Sequence, residues 1–91
     1  MAATTTNVTL GPVWTEVVAD VGAYFWLSLP FTTRVTVEVL AWDTTDDVDN
    51  IDVQGHQLRG DRIESVNRSV LGEGYVYARC LEGTVTVVLS T

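Results

Sequence analysis

The sequence predicts a small all-β domain, an antiparallel β-sandwich or barrel of about six to eight short strands. Three observations carry that prediction. Residues 74–91, GYVYARCLEGTVTVVLST, alternate side-chain character on both sides of Glu82-Gly83. Short runs of β-branched and aromatic residues recur along the chain, separated by Gly, Pro and Asp. No segment shows a sustained helical period with caps. At 91 residues the chain makes one domain, 1–91, near the lower end of what buries an adequate core alone.

Taken in order, TTTNVTL (4–10) is the first strand, and Gly11-Pro12 punctuates it. VWTEVVA (13–19) is the second, with Trp14, Glu16 and Val18 on one side and Val13, Thr15 and Val17 on the other. Asp20-Val21-Gly22 is a turn. AYFWLSL (23–29) is a third, nearly all-apolar strand, ended by Pro30, whose nitrogen cannot donate to a ladder.

TRVTVEVLAW (33–42) is the longest strand. Val35, Val37, Val39 and Ala41 share one face; Arg34, Thr36, Glu38, Leu40 and Trp42 share the other. An acidic, irregular stretch, DTTDDVDNID (43–52), follows. Between Val53 and Gly74 lie short strand-like pieces, Gln57-Leu58 and Arg62 to Val66, separated by glycines.

The closing stretch reads as a hairpin turning at Glu82-Gly83, where glycine supplies the backbone freedom of a two-residue loop. Cys80 then faces Val85, Ala78 faces Val87 and Val76 faces Leu89. All six are apolar and make the core face; Tyr75, Tyr77, Arg79 and Leu81 make the other. A slip of one residue would break this sorting. Cys80 is thereby a small buried hydrophobe, and a single cysteine excludes an internal disulfide.

Apolar residues are 46% of the chain, enough for a globular fold. Formal net charge is −7, with five arginines and no lysine. Phosphate-backbone binding needs basic side chains, so a nucleic-acid partner is not expected, nor is an anionic membrane surface. The first residues, Met1-Ala2-Ala3-Thr4, lack the basic and apolar regions of a secretion signal, which predicts a product of the cytosol.

The chemistry-bearing residues do not assemble into a site. Asp43, Asp46, Asp47, Asp49 and Asp52 offer oxygen ligands, but the loop lacks the glycine and glutamate positions of a calcium-binding hand; a solvated acidic loop is the stronger reading, with a weak, assembly-dependent calcium site left open as the alternative. His56 stands alone, without a second ligand or a nucleophile nearby in sequence. Ser65, Ser69 and Ser90 lack a nucleophile elbow. Arg59-Gly60-Asp61 makes an ordinary turn, and the glycosylation sequons at Asn7 and Asn67 carry meaning only in a secreted chain. The expectation is a protein with no catalytic residue, no cofactor and no metal.

One surplus remains. Tyr24, Trp26, Leu40, Trp42, Tyr75 and Tyr77 fall opposite the core faces, and Arg79 falls with them. A sandwich has one interior, and Tyr and Trp are enriched where proteins meet. These residues are therefore the expected subunit or partner interface, on which Tyr77→Asp should abolish assembly and spare the fold.

Residues 55–91 resemble small structural proteins of tailed bacteriophages. The resemblance is carried by Gly55 to Leu58, by Gly72-Glu73-Gly74-Tyr75-Val76-Tyr77-Ala78-Arg79, and by the alternating Thr and Val of Thr84 to Thr91. Gly11-Pro12-Val13-Trp14-Thr15-Glu16-Val17 is similar to the opening strand of the same proteins. The resemblance implies a virion component assembled in the host cytoplasm: a capsid decoration (cement) protein or a head fibre, working as a homo-oligomer, often a trimer, on the major capsid protein. Two other readings stay open. One is a receptor- or glycan-binding tail module using Trp14, Trp26 or Trp42; the other is a head–tail connector component.

Overall fold

The computed structural model describes residues 5–30, 35–44, 55–60 and 64–91. They form eight strands and one helical turn: β1 (Thr5–Leu10), β2 (Thr15–Val18), β3 (Trp26–Leu29), β4 (Thr36–Trp42), β5 (His56–Arg59), β6 (Glu64–Asn67), α1 (Arg68–Leu71), β7 (Tyr75–Cys80) and β8 (Val85–Ser90). The all-β expectation holds, and the strands lie in two four-stranded antiparallel sheets.

The first sheet has the order β1-β8-β3-β6 and the second β2-β7-β4-β5. The early strands pair with the late ones in reverse order: β1 with β8, β2 with β7, β3 with β6 and β4 with β5. Every connection except β4–β5 therefore passes from one sheet to the other. This is the strand order of a jelly roll, a long antiparallel ribbon rolled into two packed sheets.

That topology corrects the closing hairpin. The chain does turn at residues 81–84, but β7 and β8 do not pair with each other. β7 lies between β2 and β4, and β8 between β1 and β3. The predicted face nevertheless survives, because both strands point that face at the same interior. Val76, Ala78, Cys80, Val85, Val87 and Leu89 are all buried in one core cluster. They face one another across the sandwich instead of along a ladder.

Phe25, Leu27 and Leu29 come into the same core from β3 and its approach, Val37 and Val39 from β4, and Leu58 and Val66 from β5 and β6. The period-2 alternation of each strand is what delivers them. β2 departs from strict alternation. A bulge between Glu16 and Val18 lets Glu16 pair with the outward Tyr77 while Val18 pairs with the inward Val76. The sequence reading put Glu16 and Val18 on one side; the extra residue separates them.

One end of the sandwich is organised by Arg68. Its Nε donates to the Ala23 carbonyl at 2.8 Å, and its Nη1 donates to Gly74 at 2.7 Å and Gly72 at 3.1 Å. Its Nη2 donates to Asp20, and the guanidinium carbon sits 5.2 Å from the centre of the Phe25 ring. Loop carbonyls that no ladder reaches are thus satisfied by one side chain. Arg68 opens α1, the single helical turn that no helical period in the sequence announces. Asn67 caps it by accepting from Ser69 N at 2.9 Å, and Gly72 (φ +81°) closes it.

Candidate functional site

With the core filled from the inner faces, functional surface is left to the two outer faces. On the second sheet, the register sets Trp42 opposite Tyr75, Leu40 opposite Tyr77 and Glu38 opposite Arg79. Five of the seven predicted interface residues, Leu40, Trp42, Tyr75, Tyr77 and Arg79, therefore share one face. They do not wait bare for a partner. Trp14, from the connection between β1 and β2, packs on Leu40 and Tyr77 and forms a second cluster with them, against which Trp42 and Tyr75 rest. Tyr77 is left 3% exposed and Leu40 7%. For these two residues the expected partner contact is corrected: the chain's own indole covers them, and Tyr77→Asp would act on the fold.

The polar groups of this face are arranged around the same cluster. The Arg79 guanidinium carbon lies 4.2 Å from the centre of the Trp14 ring, and its Nη2 lies 3.4 Å from the Glu38 carboxylate. Glu38 is buried and also accepts from Gly55 N at 3.2 Å. The Tyr77 hydroxyl donates to Glu16 at 3.4 Å. Three buried N–H donors have no acceptor among the described residues: Trp14 Nε1, Trp42 Nε1 and Arg79 Nε. Each such donor costs about 1–3 kcal/mol. Sequence reasoning assigned Trp14 to a strand and missed this covering role; Gly11-Pro12 just before it was the available sign of a chain leaving its ladder.

The outer face of the first sheet differs. Its outward positions are Thr5, Asn7 and Thr9 on β1, Thr86, Val88 and Ser90 on β8, Trp26 and Ser28 on β3, and Ser65 and Asn67 on β6. None is charged, in a chain of net charge −7. Trp26 is 41% exposed, and Tyr24, two residues earlier, is 63% exposed. Asn67 stands opposite Trp26 on one side and Ser90 on the other. So the structure divides the predicted interface set: Trp26 remains open on a neutral, hydroxyl-rich face, and Tyr24 is exposed in the approach to β3.

Among the described residues no group of His, Cys, Asp and Glu is placed to hold a metal ion. His56 is exposed on β5, Arg59 ends the same strand, and Cys80 is fully buried. Of the acidic stretch, Asp43 is described and exposed; Asp46, Asp47, Asp49 and Asp52 lie outside the described residues, as does Asp61. Ser65 and Ser69 are exposed and Ser90 half-buried, and among the described residues none is hydrogen-bonded to His56. No helix among the described residues is long and apolar enough to cross a membrane. Comparison with protein-family models, with curated proteins and with solved structures finds no match to the chain.

Proposed function

We propose that this chain is a non-catalytic structural protein of a tailed-phage virion, a capsid decoration or head-fibre protein that works as a homo-oligomer on the major capsid protein. The observation that carries the proposal is the neutral outer face of the first sheet, with Trp26 exposed on it and Tyr24 exposed two residues before it in the approach to β3. Large aromatic side chains left open on an otherwise uncharged surface are what a docking face supplies. Jelly rolls occur in viral capsid domains and in lectins. That supports the reading by fold analogy alone, since one fold hosts many functions.

The mechanism is stabilisation by mass action. A protein that binds only the assembled shell lowers the free energy of that state and performs no chemistry. The test adds wild-type protein and the Tyr24→Ser/Trp26→Ser variant to heads of the phage that encodes it. Wild type should bind and raise the temperature of head disruption; the variant should do neither. Absence of wild-type binding overturns the proposal.

A second reading is favoured by one detail. Trp26, flanked by Asn67 and Ser90, offers an apolar plane beside side chains that both donate and accept hydrogen bonds, which suits a neutral sugar. Trp14 and Trp42 do not suit it, being covered or half-buried. Quenching of tryptophan fluorescence by neutral oligosaccharides, lost in Trp26→Ser, would favour a glycan-binding role over decoration.

A further inference from the structure

Each sheet of a sandwich ends in two edges, and an edge is a row of unpaired N–H and C=O groups that another strand can complete. The four edges among the described residues are not alike. β5 has four residues and ends in Arg59, whose N–H donates to the Glu64 carboxylate of β6 at 2.6 Å, so those two edges close on each other. β6 runs directly into α1. β2 has four residues, carries Glu16 and is broken by its bulge. Shortness, charge, a bulge and a covering contact are the devices by which sheets blunt an edge. Among the described residues β1 has none of them. It is six residues long, paired without interruption to β8, and free of charge and proline; Thr5, Thr6, Asn7 and Thr9 are exposed.

We infer that β1 is a strand-addition edge, and that its occupant is β1 of a second copy of this chain. Two features select a second copy. The first is charge: copies of net charge −7 repel, and they meet at least cost where both surfaces are neutral, as β1 and the outer face beside it are. The second is self-complementary sorting. Antiparallel pairing about a two-fold axis through Val8 sets Val8 opposite Val8, Thr6 opposite Leu10 and Asn7 opposite Thr9. Inward residues then meet inward ones and outward meet outward, as a continuous sheet requires. The pairing joins two four-stranded sheets into one.

The inference rests on the homo-oligomer part of the function proposed above and makes the symmetry two-fold, where the family resemblance implies a trimer. A six-residue seam is small beside the roughly 1,200–2,000 Å² of a stable interface, so the dimer is concentration-dependent.

The experiment is sedimentation velocity over a range of concentrations, with the fold of each variant checked by thermal melting. Asn7→Asp/Thr9→Asp sets carboxylates against carboxylates across the seam and should raise the dimer dissociation constant at least about tenfold. Asn7→Asp/Thr9→Lys restores opposite charges in the Val8-centred register and should recover dimerisation. Ser65→Asp/Ser69→Asp adds the same charge away from β1 and should dimerise like wild type. A wild-type trimer, or a dimer indifferent to the β1 changes, overturns the inference and leaves the homo-oligomer reading standing. So does loss of dimer in the Ser65/Ser69 variant equal to that in the β1 variant. Failure of the Asn7→Asp/Thr9→Lys variant to recover overturns the Val8-centred pairing. A wild-type monomer at every concentration overturns both the inference and the homo-oligomer reading.

Discussion

The guanidinium of Arg79 lies over the indole of Trp14, 4.2 Å from the ring centre. This contact fastens the connection between the two sheets onto the outer face of β7. A cation over an indole contributes roughly 0.5–2 kcal/mol depending on burial. Here it is joined by the packing of the same ring on Leu40 and Tyr77. Trp14→Ala should cost about 3–5 kcal/mol in urea unfolding, the usual range for a buried aromatic. Trp14→Phe keeps an aromatic ring there and deletes a buried N–H that has no acceptor among the described residues. It should fall within about 1 kcal/mol of wild type, because the removed desolvation penalty offsets lost contact area. Equal damage from both substitutions would mean that the indole N–H is bonded after all.

Tyr77 and Tyr24 separate fold from surface. Tyr77 is 3% exposed beneath Trp14, whereas Tyr24 is 63% exposed. Tyr77→Asp puts a carboxylate into an apolar cluster and should lower stability by more than about 3 kcal/mol. Tyr24→Asp should stay within about 0.5 kcal/mol. Thermal melts followed by circular dichroism read both. A folded, stable Tyr77→Asp protein would show that Trp14 does not cover it.

The contrast between these tyrosines shows what was legible in the sequence. Alternation is a local property, so Val76, Ala78 and Cys80 are readable as inward and Tyr75 and Tyr77 as outward without knowing any partner strand. Pairing is not local. A hairpin that presents one face to a core, and two strands that face each other across a core, sort their side chains identically. The alternation around Glu82-Gly83 therefore could not tell a ladder from a crossing between sheets. Trp14 was hidden for a related reason: its cover over Leu40 depends on the β1–β2 connection crossing sheets, which follows only from the roll. Trp26 was readable as outward, but its neutral neighbours come from β6 and β8, which only the topology brings alongside.

Gly74 is held by its surroundings. Its φ is +141°, and a Cβ there would lie 2.9 Å from the Trp42 carbonyl oxygen and 3.0 Å from the Trp42 nitrogen. Backbone atoms in a ladder cannot move aside cheaply. Gly74→Ala should therefore cost about 2–4 kcal/mol, combining strain with a clash. Gly83, at φ +135° with no described residue within 4 Å of its missing Cβ, carries only the first of these costs. Gly83→Ala should cost about 1 kcal/mol. Chemical denaturation of the two variants side by side checks the difference; equal costs would remove the close approach to Trp42 as a cause.

Arg68 should prove the most sensitive charged residue of the described chain. Its guanidinium donates to the carbonyls of Ala23, Gly72, Gly74 and Asp20. Arg68→Met preserves much of the stem but leaves those carbonyls to solvent or unpaired. A loss of about 3 kcal/mol is expected, less than the sum of separate bonds because the loops relax toward water. Arg68→Lys should recover only a minor part, since an ammonium cannot reach four acceptors in a planar fork. Amide hydrogen exchange should locate the damage in residues 20–25 and 68–74.

The pairing of β1 with β8 also governs when the molecule becomes itself. Thr5 lies opposite Ser90, and β8 is inserted between β1 and β3. Until β8 is in place β1 has no neighbour in its sheet among the described strands, and β3 holds only β6. Without β8 half of one sheet is unbuilt, and the inward Leu10, Leu27 and Leu29 lack the strand that joins β1 to β3. Closing such distant contacts is slow, on the order of milliseconds to seconds for all-β domains. In that interval β1 is an unpaired strand, and pairing between copies that have not yet placed β8 is the hazard most specific to this topology.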